Sequence, residues 1–210
     1  MITTLFDFIY KAETFLLQKI PVAEPLNRLA IASIIALAGI LSVILIGSLI
    51  DQIKKFEYRS LANASSDNLA KLIVFRLTFP GTVIHEFSHA MFAFLTGAKV
   101  TKIQCFSIKK NTLGYVTYQT RGSKLQQMVQ HGLSACAPVI SGLILAPMFL
   151  SLMFTAEPIM IKILAGYMTI SVVNHMNMSW LDVKQYVKGV PIIFLIIFTV
   201  SYISLLTIHI

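Results

Sequence analysis

The 210-residue chain has the composition of a membrane protein, because 56% of its residues are hydrophobic and only 12% are charged, against roughly 25% charged in a soluble domain. Its net charge of +8 would indicate a nucleic-acid partner in a soluble protein, but in so apolar a chain it instead reports membrane topology. Its two cysteines, Cys105 and Cys136, form no CxxC pair, so the sequence predicts neither a structural disulfide nor a cysteine metal site.

The N-terminal segment, residues 1–27, has an amphipathic pattern rather than that of a clear signal peptide. Apolar residues recur there at helical spacing, but Asp7 and Glu13 interrupt the apolar run and no basic residue starts it. The pattern predicts a helix that lies in the membrane interface and ends at Pro21.

Five windows of the sequence are long enough to cross a bilayer as helices, since about 20 apolar residues span its hydrocarbon core. Four of them lack Asp, Glu, Lys and Arg entirely: residues 29–50, 132–156, 163–181 and 189–210. The remaining window, residues 77–98, is the second of the five in chain order and has ionisable side chains near its middle. Because backbone groups in lipid must be satisfied within the segment, we predict an α-helical polytopic membrane protein with about five transmembrane helices.

The stretch between the second and third windows, residues 99–122, predicts a small β-hairpin. β-branched and aromatic residues flank the turn-prone sequence KKNTLG, which is typical of two strands and a turn. The stretch is rich in lysine and contains no acidic residue, so the positive-inside rule places it in the cytoplasm. The same rule predicts a cytoplasmic N-terminus and a C-terminus outside.

The sequence IHEFSHA places His85, Glu86 and His89 inside the second window. Side chains four residues apart share a helix face, so both histidines can direct a ring nitrogen at one ion. Glu86 would then take a proton from a water at the metal, as in zinc metalloproteases. Each ionisable group inside a transmembrane helix costs about 2.5–3.5 kcal/mol, which favours a metal site over a polar patch between helices or a histidine pair in a proton path.

A catalytic zinc has three protein ligands, so a third must come from another helix. Asp182 lies at the cytoplasmic end of the fourth window, on the side expected for the histidines, whereas Glu157 lies at the outer end of the third. We therefore predict Asp182 as the ligand. The alternatives are that Asp182 is an interfacial residue or caps a following helix. The other histidines complete the set of candidates: His131, His175 and His209.

At these residues the sequence resembles the site-2 protease family of intramembrane zinc metalloproteases. That family combines HExxH in one transmembrane helix with a distal aspartate in an Asn-x-x-Pro-x-Pro-x-Leu-Asp-Gly motif. The stretch NHMNMSWLDV keeps Asn174 and the Leu-Asp pair that ends at Asp182. It departs from the motif at three positions: Asn177 and Ser179 in place of prolines, and Val183 in place of glycine.

The resemblance also implies a domain organisation. The stretch SACAPVISG, residues 134–142, is similar to the start of the family's third core helix. The sequence has no long linker, internal repeat or low-complexity segment, so we expect a single membrane-embedded domain over residues 1–210. Within it, the resemblance implies a metalloprotease core at 70–188 and an additional C-terminal transmembrane helix at 189–210. The first transmembrane helix would likewise be an addition to the core.

The resemblance implies a role for each matching residue. His85, His89 and Asp182 would bind Zn²⁺, Glu86 would be the general base and later the proton donor, and Asn174 would lie near the substrate backbone or oxyanion. Because the two prolines of the motif are absent, the helix predicted at residues 163–181 would either unwind through its asparagine or stay helical.

Two other functions stay open beside an intramembrane zinc endopeptidase: a non-proteolytic metal-binding or metal-transport protein, and a protease of another HExxH membrane class that uses Glu157. The expected partners of the endopeptidase are the transmembrane segment of a membrane-protein substrate and the lipid bilayer, and no nucleic acid. We expect it in the cell membrane, with its active site in the cytoplasmic half. The hairpin would either pair a strand edge, Lys102–Ser107 or Tyr115–Thr120, with an unwound substrate or lie on the membrane surface.

Overall fold

The computed structural model describes residues 24–105 and 114–207, together with Lys11 and Phe15. The interfacial helix predicted at the N-terminus and the turn of the hairpin thus lie almost wholly outside the described residues. The elements follow in chain order: α1 (Glu24–Ala64), α2 (Asp67–Lys71), a π-helical turn (Leu72–Arg76), α3 (Phe79–Leu95), β1 (Lys99–Gln104), β2 (Tyr115–Gln119), α4 (Lys124–Thr155), α5 (Ile159–His175) and α6 (Trp180–Thr207).

The structure is that of a mostly helical membrane protein with a small two-stranded sheet. Three of the described helices, α1, α4 and α6, are long and apolar enough to cross a membrane, with mean hydropathies of 2.9, 2.0 and 2.3 in their most apolar windows. The helices α3 and α5 have only 17 residues each, at the lower limit for a crossing. The predicted helical membrane architecture is therefore confirmed, but the count of five crossing helices is not.

The chain divides into two compact units, Met1–Ser42 with Pro191–Ile210, and Val43–Val190. In the first unit, Ile31, Ala32 and Leu205 are fully buried and form its core. The second unit contains all the predicted site residues. The organisation as one domain with a core at 70–188 stays a prediction.

The helix that carries the HExxH motif, α3, has clear signals at both ends. Pro80 lies in its first turn, where its missing N–H costs no hydrogen bond. At the other end Gly97 has a φ of +91°, its N–H donates to Phe94 O at 2.9 Å, and the N–H of Ala98 donates to Ala93 O at 2.9 Å. This is the Schellman motif, which ends a helix at a left-handed glycine and directs the chain into β1.

The predicted hairpin is present as two antiparallel strands, with Lys99 opposite Gln119 and Gln104 opposite Tyr115. Its base is attached to α4 by the fully buried side chain of Gln130. The Gln130 amide donates to the carbonyls of Thr96 and Arg121, at 3.1 and 3.0 Å, and its oxygen accepts from the Arg121 N–H at 2.9 Å. Because these two residues flank the strands, one buried side chain fixes where the hairpin leaves and rejoins the bundle.

Glycines allow the helices of the second unit to approach closely. A Cβ at Gly81 of α3 would overlap the carbonyl oxygen of Ser171 on α5 and lie 2.6 Å from Nδ1 of His175. A Cβ at Gly189 of α6 would similarly overlap Gly132 of α4. Small residues at helix contacts are typical of membrane bundles, where packing rather than the hydrophobic effect holds helices together.

The fourth predicted helix ends before its apolar window does. Of the two alternatives for residues 163–181, unwinding or staying helical up to Asp182, the structure shows a break, because α5 ends at His175 and Met176–Ser179 is not helical. Asp182 therefore belongs to the first turn of α6. The sequence is predominantly apolar throughout residues 163–181, so hydropathy alone does not reveal the break. Backbone groups at the break find hydrogen-bond partners on other helices, which allows the sequence there to stay apolar.

We expect Gly81→Ala to lower the free energy of unfolding by about 1–3 kcal/mol, because the added methyl meets backbone that cannot rotate away. Thermal unfolding in detergent, followed by circular dichroism, measures the effect. The matched control is Gly39→Ala in α1, where the nearest atom to the new methyl is Ile197 Cδ1, at an ordinary 3.6 Å. Equal unfolding temperatures for the two variants would contradict the close approach of α3 and α5.

Candidate metal centre

The two histidines of the HExxH motif face each other on α3. Their Nε2 atoms are 3.1 Å apart, and their rings are nearly perpendicular, at 79°. Two ligands about 2.0–2.1 Å from a tetrahedral zinc are themselves about 3.3–3.4 Å apart. The spacing of His85 and His89 is therefore close to what a shared zinc requires.

The other ring nitrogen of each histidine is held by a backbone carbonyl. His85 Nδ1 lies 2.6 Å from the carbonyl oxygen of His175, and His89 Nδ1 lies 2.7 Å from that of Ser134. Because a carbonyl oxygen only accepts, each Nδ1 must carry the proton and donate it. Both Nε2 atoms then present lone pairs to the same point, which is the usual arrangement of metal-binding histidines.

Asp182 supplies a carboxylate to the same point. Its Oδ1 is 3.7 Å from His89 Nε2. Its Oδ2 accepts from the backbone N–H of Ser179 at 2.9 Å and from the hydroxyl at 2.6 Å, while the N–H of Asp182 donates to Ser179 Oγ at 3.2 Å. These reciprocal bonds form a capping box at the start of α6. One carboxylate oxygen thus orients the side chain and leaves the other directed at the histidines.

The helix-capping alternative for Asp182 and the ligand prediction are therefore compatible. One ligand atom from each of His85, His89 and Asp182 lies within 4.8 Å of the others, so the three could hold a metal ion. Two facing lone pairs and a carboxylate repel one another unless a cation lies between them. Two imidazoles and a carboxylate are also a ligand set found in catalytic zinc sites.

Glu86 lies beside the first histidine, with 7% of its surface exposed. The hairpin covers it closely, because a Cβ at Gly114 would lie 2.7 Å from Glu86 Cγ and 2.8 Å from the carbonyl oxygen of Gln104. The absence of a side chain at Gly114 therefore lets the chain entering β2 run directly over the carboxylate.

A cavity of about 540 Å³ connects these groups. His85, Glu86 and His89 line one side of it, and the chain from Gly114 to Tyr118 forms another wall. β2 thus contributes a wall of the cavity as well as half of the sheet.

The structure does not bring Asn174 into this cavity. Asn174 is half-buried on α5 and is not among the described residues that line the space. Its neighbour His175 contributes a backbone carbonyl to His85, and the His175 ring nitrogen Nδ1 lies 3.0 Å from Ser171 O. The expected role of Asn174 at the substrate stays a prediction.

Other polar side chains also line the cavity: the candidate ligand His131, Tyr118 of the predicted strand edge, and Ser134 and Gln185, which the sequence did not assign to the site. Ser134 is fully buried, and its hydroxyl donates to the carbonyl of His89 at 3.0 Å, in return for the bond its own carbonyl accepts. Of the two residues that the sequence did not assign, only Gln185 has a usable signal in the sequence, because it lies three residues after Asp182 and so on the same helix face.

Of the other candidate ligands from the sequence, His209 lies outside the described residues and Glu157 is less suited to the centre. Glu157 is exposed in the connection between α4 and α5, at the opposite end of α5 from His175. Cys105, which the sequence does not predict as a ligand, follows β1, and burial together with the nearby Glu86 carboxylate raises the pKa of its thiol. A raised pKa disfavours the thiolate that zinc binds.

The fold and the site together define a helical membrane protein with an HExxH helix packed near a distal aspartate. A family model described as Peptidase M50B-like matches residues 61–209. The chain therefore belongs to this peptidase family, which confirms the resemblance to site-2 proteases. No curated protein and no solved structure matches the chain.

The positions of the two candidate carboxylates predict different metal contents for their variants. We expect Asp182→Ala to lose most bound zinc, because it removes one of three converging ligands, and Glu157→Ala to keep it. Elemental analysis of the purified proteins measures both. Loss of zinc from the Glu157 variant, with zinc retained by the Asp182 variant, would contradict the ligand set.

Proposed function

We propose that this protein is an intramembrane zinc endopeptidase that hydrolyses peptide bonds of membrane-spanning or membrane-inserted proteins. The observation that carries the proposal is the pair of backbone-held histidines, whose Nε2 lone pairs and the Asp182 carboxylate point at one position beside Glu86. The family match supports peptidase chemistry. The ligand set supports zinc as the cofactor.

The proposed division of labour follows from the positions of the side chains. His85, His89 and Asp182 would hold the ion, which when bound supplies a Lewis acid that polarises a carbonyl and acidifies water. Glu86, buried at the cavity wall, would take a proton from the attacking water and deliver it to the leaving amine. The enclosure of Glu86 by Gly114 would keep bulk water away from this proton.

We propose that the substrate enters as an unwound, extended segment. A transmembrane helix protects its own backbone, so cleavage requires local unwinding. In the described two-stranded sheet, β2 pairs on one side with β1, and its chain lines the cavity. An extended segment could therefore add to β2 by backbone hydrogen bonds. This supports the substrate-pairing role of the hairpin over a plain surface hairpin.

The membrane arrangement completes the proposal. We propose that α3 and α5 cross the bilayer with the three longer helices, which gives five crossings. The helical turns before α3, from Leu72 to Arg76, lengthen its path beyond its own 17 residues. The basic loop at the hairpin supports a cytoplasmic N-terminus and an active site in the cytoplasmic half of the cell membrane.

We expect Glu86→Gln to retain zinc and to lower cleavage by about 10²- to 10⁴-fold, because the amide cannot accept the proton. The measurement is cleavage of a panel of single-span membrane proteins co-reconstituted with the enzyme in liposomes, with products identified by mass spectrometry. Glu157→Gln is the matched control, since it makes the same change at an exposed glutamate.

Cleavage by Glu86→Gln as fast as by the wild type would contradict the assigned base. If instead the wild type cleaved nothing and carried zinc into the liposomes, the metal-transport alternative would be correct. Zinc content measured on the same preparations separates loss of the base from loss of the metal.

A further inference from the structure

The non-helical segment between α5 and α6, Met176–Ser179, is attached to α1. The N–H of Met178 donates to the carbonyl oxygen of Gly47 at 3.0 Å, and the amide of Asn177 donates to Asp51 Oδ1 at 3.1 Å. Gly47 and Asp51 are four residues apart, so they lie on one face of α1. One backbone bond and one side-chain bond therefore tie the segment to a single helix face.

Side-chain packing reinforces these bonds from two sides. A Cβ at Gly47 would lie 2.5 Å from Met178 Cγ and 2.9 Å from Met178 Cβ. On α4, a Cβ at Gly142 would likewise overlap Met176. Met178 is 2% exposed and Met176 is 6% exposed, so each is buried against a glycine that leaves room for its side chain.

The attached segment leads directly into the third candidate ligand. Ser179 follows Met178, and its hydroxyl and N–H both donate to the Asp182 carboxylate in the capping box. A displacement of Met178 therefore moves Ser179, and with it the carboxylate oxygen that faces His89. A change of this kind far from the ion is enough to weaken a metal site, since outer partners orient the ligands.

We propose that Gly47 and Asp51 of α1 are positioning residues for Asp182. They hold the segment Met176–Ser179 in place, and through its capping box they fix the carboxylate opposite the two imidazoles. The proposal rests on the proposed function, because it assigns Asp182 to the metal. According to this proposal α1 also supports the site, although Gly47 and Asp51 precede residues 61–209, which the family model matches.

The decisive variants are Asp51→Ala, which removes the acceptor of Asn177, and Gly47→Ala, which pushes on Met178. The first readout is the zinc dissociation constant, from competition with a chelator in detergent. The second is hydrogen exchange of metal-free protein in peptides that cover residues 176–182. The third is thermal unfolding of the same metal-free samples, which detects general destabilisation.

We expect both variants to bind zinc about 10- to 100-fold more weakly and to exchange faster at residues 176–182. The swap Asp51→Asn with Asn177→Asp keeps an amide opposite a carboxylate and is expected to restore most of the affinity. Lys55→Ala removes an exposed lysine that pairs with Asp51 at 2.5 Å, and Gly39→Ala repeats the glycine change on α1 at an ordinary contact. Both controls are expected to bind zinc as the wild type does.

Zinc affinity and exchange that stay at wild-type values in both variants would overturn the proposal. A lower unfolding temperature with unchanged affinity would also overturn it, because it would reduce the two residues to a structural role. If the wild type bound no zinc, the proposed function would fail, and exchange in metal-free protein would still decide whether Gly47 and Asp51 hold the segment.

Discussion

The site depends on two backbone carbonyls that fix which ring nitrogen of each histidine faces the candidate metal position. The carbonyls of His175 and Ser134 accept from the Nδ1 atoms of His85 and His89, so that the remaining nitrogens face each other as acceptors at 3.1 Å. In an apolar bundle this arrangement is costly without a cation, because the lone pairs and the nearby carboxylate repel one another. Each carbonyl comes from a different helix, so the centre requires α3, α4 and α5 to pack as they do.

The break between α5 and α6 follows from the same requirement. The carbonyl that holds His85 belongs to His175, the last residue of α5, where it is free to accept a side chain instead of a helical N–H. Unwound backbone at membrane depth is tolerated only where protein satisfies its polar groups. The Gly47 carbonyl of α1 provides such a partner for the Met178 N–H, and Asp51 accepts from the side chain of Asn177, so the chain breaks there without the prolines typical of the motif.

The sequence predicted those parts of the fold that depend on residues close together in the chain. The HExxH spacing placed two imidazoles on one helix face, and β-branched and aromatic residues formed the two strands, both as expected from neighbours within a few residues. Asp182 also lies beside the histidines. It does so from the first turn of α6, however, because the sequence did not reveal where the fourth apolar window breaks.

What the sequence could not predict depends on contacts between distant segments. Nothing near Gly47 or Asp51 indicates that α1 supports the segment before Asp182, since each bond joins residues more than 120 positions apart. The close approach of Gly114 to Glu86 and the anchoring of the hairpin by Gln130 have the same origin. Motif spacing identified the chemical groups, and tertiary packing decides which helix presents them.

The most direct test is zinc K-edge X-ray absorption of the purified wild-type protein in lipid bilayers. The proposed zinc site predicts a four-coordinate ion with two imidazole nitrogens at about 2.0–2.1 Å and the rest of the shell oxygen. A shell with sulfur at about 2.3 Å, or one without imidazole scattering, would contradict a site built by His85, His89 and Asp182.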